Sequence, residues 1–192
     1  TVAEALSRHQ GPLRLPAVRV VSSDVAEALA GTQGQLELSG LTSLKSVQLA
    51  RKLAADNEGF LDLSGLTEIE PGVAAALATH TGWMFLDGLG QLSAPAAAAL
   101  ASHSGELSLN GLQVISAEAL KHLARHHDDL YLDGLMSLSV VPISSTDVAR
   151  ALAGRENRVS LGGLRTLSAE SAEVLKSNPK VWFPSGIVEA DR

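Results

Sequence analysis

A six-residue phrase, Leu-x-Leu-x-Gly-Leu, returns along this chain at nearly constant spacing, and a chain with such a period has few ways to fold. It occupies Leu36 to Leu41, Leu61 to Leu66, Met84 to Leu89, Leu107 to Leu112, Leu130 to Leu135 and Val159 to Leu164, with looser copies from Leu13 and Val181. The units start at 13, 36, 61, 84, 107, 130, 159 and 181, in steps of 23, 25, 23, 23, 23, 29 and 22 residues. A period of this size means one supersecondary unit stacked on itself, each burying its apolar side against its neighbours.

Each unit changes period halfway. Apolar residues first alternate, as Leu107 and Leu109 do around Ser108, which predicts a strand. They then fall at helical spacing, as in Ala119, Leu120 and Leu123, with Val73, Ala74 and Leu77 in an earlier unit. Ser93, Ser116 and Ser168 stand where a helix would begin, and their hydroxyls are expected to cap free N–H groups. Gly31, Gly59, Gly82 and Gly105 are read as the helix stops. A further apolar residue between the halves (Leu44, Ile69, Leu92, Ile115, Leu138, Leu167) is expected to point into the same slab. Because every unit runs the same way, the strands must be parallel.

These motifs resemble the leucine-rich-repeat family, most closely its bacterial variants with repeats of about 23 residues. The resemblance covers residues 1–187. It implies an α/β solenoid of about eight coils, a parallel β-sheet on the concave face, α-helices on the convex face, and a role in binding proteins or other macromolecules. The whole chain, 1–192, is then a single solenoid domain, with a partial repeat over 1–12. The Asn that the family stacks behind its strand is missing here, and Leu41, Leu66, Leu89, Leu112, Leu135 and Leu164 stand near its place. An apolar ladder with water-free turns is therefore expected.

Composition narrows the function classes. The chain is 45% apolar but only 3% aromatic, so the core must be a thin slab of Leu, Val and Ala. With 15 basic and 21 acidic residues the net charge is -6, which argues against nucleic acid and anionic membranes. Cysteine is absent, which removes disulfide and thiol chemistry. No apolar run reaches the length of about 18 residues that a membrane span needs. Nor does the N-terminus carry a signal-peptide pattern. The chain opens mid-repeat and without Met, as a processed protein or an excised piece would.

Glycine recurs at 40, 65, 88, 111, 134 and 163, one per unit. A phosphate-binding loop needs several N–H groups converging at one helix start. A turn that demands positive φ or close backbone approach accounts for them better. Ala17 fills the same slot in the first unit, so positive φ is not required throughout.

Residues flanking the buried strand positions point the other way and form outward columns. Five of the six aromatic residues fall in them: Phe60, Trp83, Phe85, Tyr131 and Trp182, leaving Phe183 to face the core. The carboxylates Glu37, Asp62, Asp87, Glu106, Asp129 and Asp133 belong to the central units, the bases Arg14, Arg158 and Lys180 to the outer ones. An exposed aromatic cluster marks an interaction site. The expected binding residues are Phe60, Asp62, Trp83, Phe85, Asp87, Asn110, Tyr131 and Asp133. The expected partner is a protein or peptide, for which a basic surface would suit the central carboxylates, with carbohydrate as the runner-up ligand. The plainer account, strand aromatics covering their neighbours and Asp-Gly or Asn-Gly turns, applies best to Asp87, Asn110 and Asp133. A rival role is that of a scaffold segment within a longer repeat array.

His9, His80, His103 and His126 share one slot at helix C-termini. Helix axes about 8–10 Å apart hold such rings too far from one another for zinc, so interaction with the helix dipole is the expected role. The run His126-His127-Asp128-Asp129 is the remaining metal candidate, and a weak one. There is no Gly-x-Ser-x-Gly elbow, His-Glu-x-x-His or P-loop, so neither catalysis nor a cofactor is expected. The 29-residue unit carries an insertion, Val140 to Ser145, expected to pack across an edge.

Overall fold

The computed structural model describes residues 2–56, 59–138 and 145–189. The alternating and helical halves of each unit become short strands and short helices. The first units supply α1 (Val2–Ser7), β1 (Leu13–Arg14), α2 (Ser23–Ala30), β2 (Leu36–Glu37), α3 (Val47–Asp56) and β3 (Gly59–Asp62). The central ones supply α4 (Pro71–Leu77), β4 (Gly82–Phe85), α5 (Ala94–Leu100), β5 (Leu107–Ser108), α6 (Ala117–Leu123) and β6 (Leu130–Tyr131). The last are α7 (Ser145–Ala153), β7 (Val159–Ser160), β8 (Leu167–Ser168), α8 (Ala169–Lys176), β9 (Val181–Trp182) and β10 (Val188–Glu189). The 140–145 insertion lies outside the described residues except for Ser145, which opens α7.

Strands β3, β4, β5, β6, β7 and β9 form one parallel sheet of six. Its register follows the repeat: Leu61, Met84, Leu107, Leu130, Val159 and Val181 stand side by side. These residues, the next apolar strand position and the apolar faces of the helices share one continuous core. Leu63, Leu86, Leu109 and Leu132 are fully buried, and each such side chain contributes about 1.5–3 kcal/mol. Leu41, Leu66, Leu89, Leu112, Leu135 and Leu164 are at most 2% exposed, the apolar ladder that the sequence predicts. Phe183 packs against this core, partly buried.

The helix starts follow the serines. Ser93, Ser116 and Ser168 accept from the N–H groups of Ala96, Ala119 and Ser171. Where Glu70 holds that position, its side chain makes no capping bond, and Pro71 instead sets the first turn.

The helix stops differ from expectation. Helices α4, α5 and α6 end at Ala78, Ala101 and Ala124, all in right-handed conformation, and Gly31 is right-handed as well. Gly59, Gly82 and Gly105 come later, at φ 89°, 124° and 124°, and swing the chain from helix into strand. The glycines that follow each strand have no positive φ. They are glycine because a Cβ at Gly40, Gly65, Gly88, Gly111, Gly134 or Gly163 would lie 1.8–2.5 Å from a carbonyl oxygen of the preceding unit.

One seam interrupts the ladder. In most units the N–H of the first buried strand residue donates to the next unit, as Leu13 does to Gln35 and Met84 to Glu106. At Leu36 the acceptor is Asp56 Oδ2, at 3.0 Å. Helix α3 is ten residues long where α4 to α6 have seven, and the extra length of this 25-residue unit brings Asp56 to that donor. Lys52 holds the carboxylate at 2.9 Å and donates to Gly34. Strands β1 and β2 consequently form a separate parallel pair.

Candidate functional site

Strands β3 and β4 are four residues long because Gly59 and Gly82, with positive φ, enter the pairing two places early. Their register sets Phe60 beside Trp83 and Asp62 beside Phe85, on the sheet face opposite the buried leucines. Trp83 is 40% exposed and stacks on Phe85 at 5.6 Å and on Tyr131 at 5.9 Å between ring centroids. Tyr131 belongs to β6, so the indole reaches across β5, where Ser108 is 3% exposed. Such ring pairs are worth about 0.5–1.5 kcal/mol each beyond their area. Phe60 is 64% exposed and divides two grooves. One, shallow and largely apolar, of about 700 Å³, is lined by Gly59, Phe60, Asp62, Ser64, Trp83 and Phe85. The other, about 230 Å³, runs along the β2–β3 seam between Glu37 and Asp62. Trp182 lies further along, over Gly162, and is not part of the stack.

The polar residues expected beside the aromatics divide into two groups. Asp87 Oδ1 accepts from Ser108 Oγ at 2.6 Å and from the Asn110 N–H at 2.8 Å. Asn110 Oδ1 accepts from the Asp133 N–H, and Asp133 Oδ1 from Ser160 Oγ and the Gly162 N–H. These three side chains tie each unit to the next. Asp62 is different: it is exposed and its Oδ1 accepts from Ser64 N–H at 2.9 Å, two residues on.

Carboxylates crowd the other flank. Burial, then the charges of Asp129 and Asp128, hold the Glu106 carboxyl above its ordinary range against the opposing pull of Arg158. Glu106 Oε2 is enclosed and has no hydrogen-bond partner among the described residues. Burial, then Asp129 and Glu106, likewise push the Tyr131 hydroxyl up.

The histidines correct the sequence reading. His80, His103 and His126 are 1–3% exposed, with rings stacked at 5.9 Å and within 8° of parallel. Helix spacing does not separate them, because the rings turn inward from the helix ends toward the strand starts. His80 Nδ1 meets the Ala54 carbonyl at 3.2 Å and His103 Nε2 the Gly82 carbonyl at 2.9 Å. Burial first, then the Arg155 charge, lowers the His126 pKa to about 4, and burial lowers that of His103. These two rings are neutral at pH 7, so attraction of a cation to the helix dipole does not explain them. The slot continues in other residues. Thr32, Asp56, Arg155 and Asn178 stand, like the histidines, three positions after the last buried helical Leu. Arg155 donates to the carbonyls of Leu123, Ala124, His126 and Asp128. Asn178 donates to Ala153 and Arg155. The Leu-x-x-polar spacing was the signal in the sequence for this buried column.

The run from His126 to Asp129 diverges. His126 is buried, His127 exposed, Asp128 Oδ2 accepts from Gly105 N–H, and Asp129 Oδ1 accepts from Arg158 N–H. No group of three or more His, Asp or Glu side chains suited to a metal ion occurs among the described residues. Nor is any helix among them long and apolar enough to cross a membrane.

Comparison with family models finds no match, and comparison with curated proteins likewise finds none.

Proposed function

We propose that this chain is a leucine-rich-repeat solenoid acting as a non-catalytic binding module, with the helix-free, concave sheet face docking a protein or peptide. The strand-turn-helix period and the unit-to-unit ladder support the architecture. The observation that carries the function is the Trp83 stack with Phe85 and Tyr131, exposed beside Phe60 in a chain otherwise nearly without aromatics. Solvent-facing rings of this kind add little to a core and are the usual anchors of an interface. Phe60, Trp83, Phe85 and Tyr131 make the contact surface, with Asp62 at its edge. Asp87, Asn110 and Asp133 hold the units in register beneath it.

The test compares the wild type with a Trp83→Ala, Phe85→Ala, Tyr131→Ala variant checked for an equal melting temperature. Proteins captured from native lysate by the wild type are identified by mass spectrometry, purified and titrated against both. Loss of about tenfold or more in affinity is expected of the variant. Equal affinity would remove the binding role from this face.

A further inference from the structure

Resting on that reading of the sheet face, the flanks of the aromatic stack identify the chemistry of the partner. Trp83 and Phe85 of β4 lie between carboxylates on the two neighbouring strands. The register sets Asp62 of β3 beside Phe85, and Glu106, just before β5, beside Trp83. Asp87 and Asp133 are used by the unit-to-unit ladder, but these two are not. Asp62 faces solvent, and Asp128 and Asp129 crowd Glu106 with like charge that Arg158 does not fully offset. Positive charge brought beside Glu106 relieves that repulsion. Across the seam, Glu37 already pairs with a guanidinium, Arg14 Nε at 3.3 Å, which shows the kind of group this border accommodates. The rings between the carboxylates offer faces to aliphatic stems and to cations.

We propose that the groove around Phe60, Trp83 and Phe85 binds an extended basic peptide segment, seating an apolar side chain on the rings and a Lys or Arg on each side at Asp62 and Glu106. Two strand spacings of about 4.8 Å separate β3 from β5, and an extended chain advances about 3.3 Å per residue. Glu106 also stands two register positions before the residue level with Asp62, so the two carboxylates lie roughly 12 Å apart; with side chains alternating, the two basic residues fall about four positions apart, on one face with the apolar residue midway. The net charge of -6 draws such a segment in from solution.

The experiment pans a random twelve-residue peptide display library on the immobilised full chain at low salt. Parallel selections use an Asp62→Asn, Glu106→Gln variant and a Phe60→Ala, Trp83→Ala variant, each checked for an unchanged melting temperature. The expected winners carry two basic residues about four apart around an apolar one. Their affinity should fall roughly tenfold on the carboxylate variant, and further with added salt. Winners lost on the aromatic variant but kept on the carboxylate variant would overturn the basic-segment proposal and leave the face itself as the binding surface. Winners kept on both variants, or no enrichment at all, would overturn both readings. Binding confined to neutral glycans on an array, abolished by the aromatic variant, would assign the groove to sugar and overturn the peptide.

Discussion

At Gly111 a side chain has no room: a Cβ there would come 1.8 Å from the Asp87 carbonyl oxygen, in backbone that any residue could otherwise adopt. At Gly90, one unit earlier and near the same edge, a Cβ meets nothing within 4 Å. Gly111→Ala should therefore destabilise by about 3 kcal/mol, the upper part of the range for forced overpacking. Gly90→Ala should stay within about 0.5 kcal/mol of the wild type. Urea denaturation of the two variants checks this, and equal midpoints would show that the units can move apart without cost. The same close approach explains Ala17, whose unit has no earlier strand of the described residues stacked against it.

The stacked histidines are buried side by side in the central units, and that burial makes the stack sensitive to acid. The folded His126 pKa of about 4 lies below the ordinary value of 6.5, so between the two the unfolded chain binds more protons than the folded one. Stability is therefore full above about pH 6.5 and falls as the pH drops toward 4, by an amount on the order of 3 kcal/mol. His103, also lowered, adds a loss of the same sign. Glu106, whose pKa is raised, acts in the opposite sense, because there the folded state holds its proton longer. A His126→Phe variant keeps a ring in the stack, and it removes the titrating group that faces Arg155, His103 and Asp128. Urea midpoints measured from pH 7 to pH 4 should fall less steeply for this variant than for the wild type. Parallel curves would mean that the buried ring is not what senses acid.

Across the whole molecule, one core runs from Ala26 to Val181, yet the backbone ladder is divided. Strands β1 and β2 form a pair of their own, and the donor that would tie β2 to β3 is taken by Asp56. A unit joined to its neighbour by packing and scattered bonds, such as those from Thr67 N–H and Oγ1 to the Thr42 carbonyl, opens at lower free energy than one also joined by a strand ladder. Hydrogen-exchange mass spectrometry should show Leu13 to Leu38 exchanging at least about tenfold faster than Leu61 to Leu132. Uniform protection would mean that the seam opens only with the entire chain. The seam also borders the groove beside Phe60, so ligand binding across it is expected to slow exchange in β2.

The alternation of one strand and one helix per unit, the buried leucines, the capping serines and the outward aromatic columns were legible in the sequence, whereas the extra pair of β8 with β10 was not. Each legible feature depends on the direction in which a residue points within its own unit, and the periods of two and 3.6 settle that locally. Which side chain meets which was decided by the tertiary structure, because it depends on how one unit lies on the next. Asp87 and Asp62 read alike as outward carboxylates, yet only Asp87 meets an N–H of the following unit. Trp83 and Tyr131 stand two strands apart and become partners because Ser108 between them is small. His80, His103 and His126 read as helix-end residues and became a buried column once their rings turned inward. Two residues beyond the usual 23 carry no direction in the sequence, and stacking turned them into a longer helix and a break in the sheet.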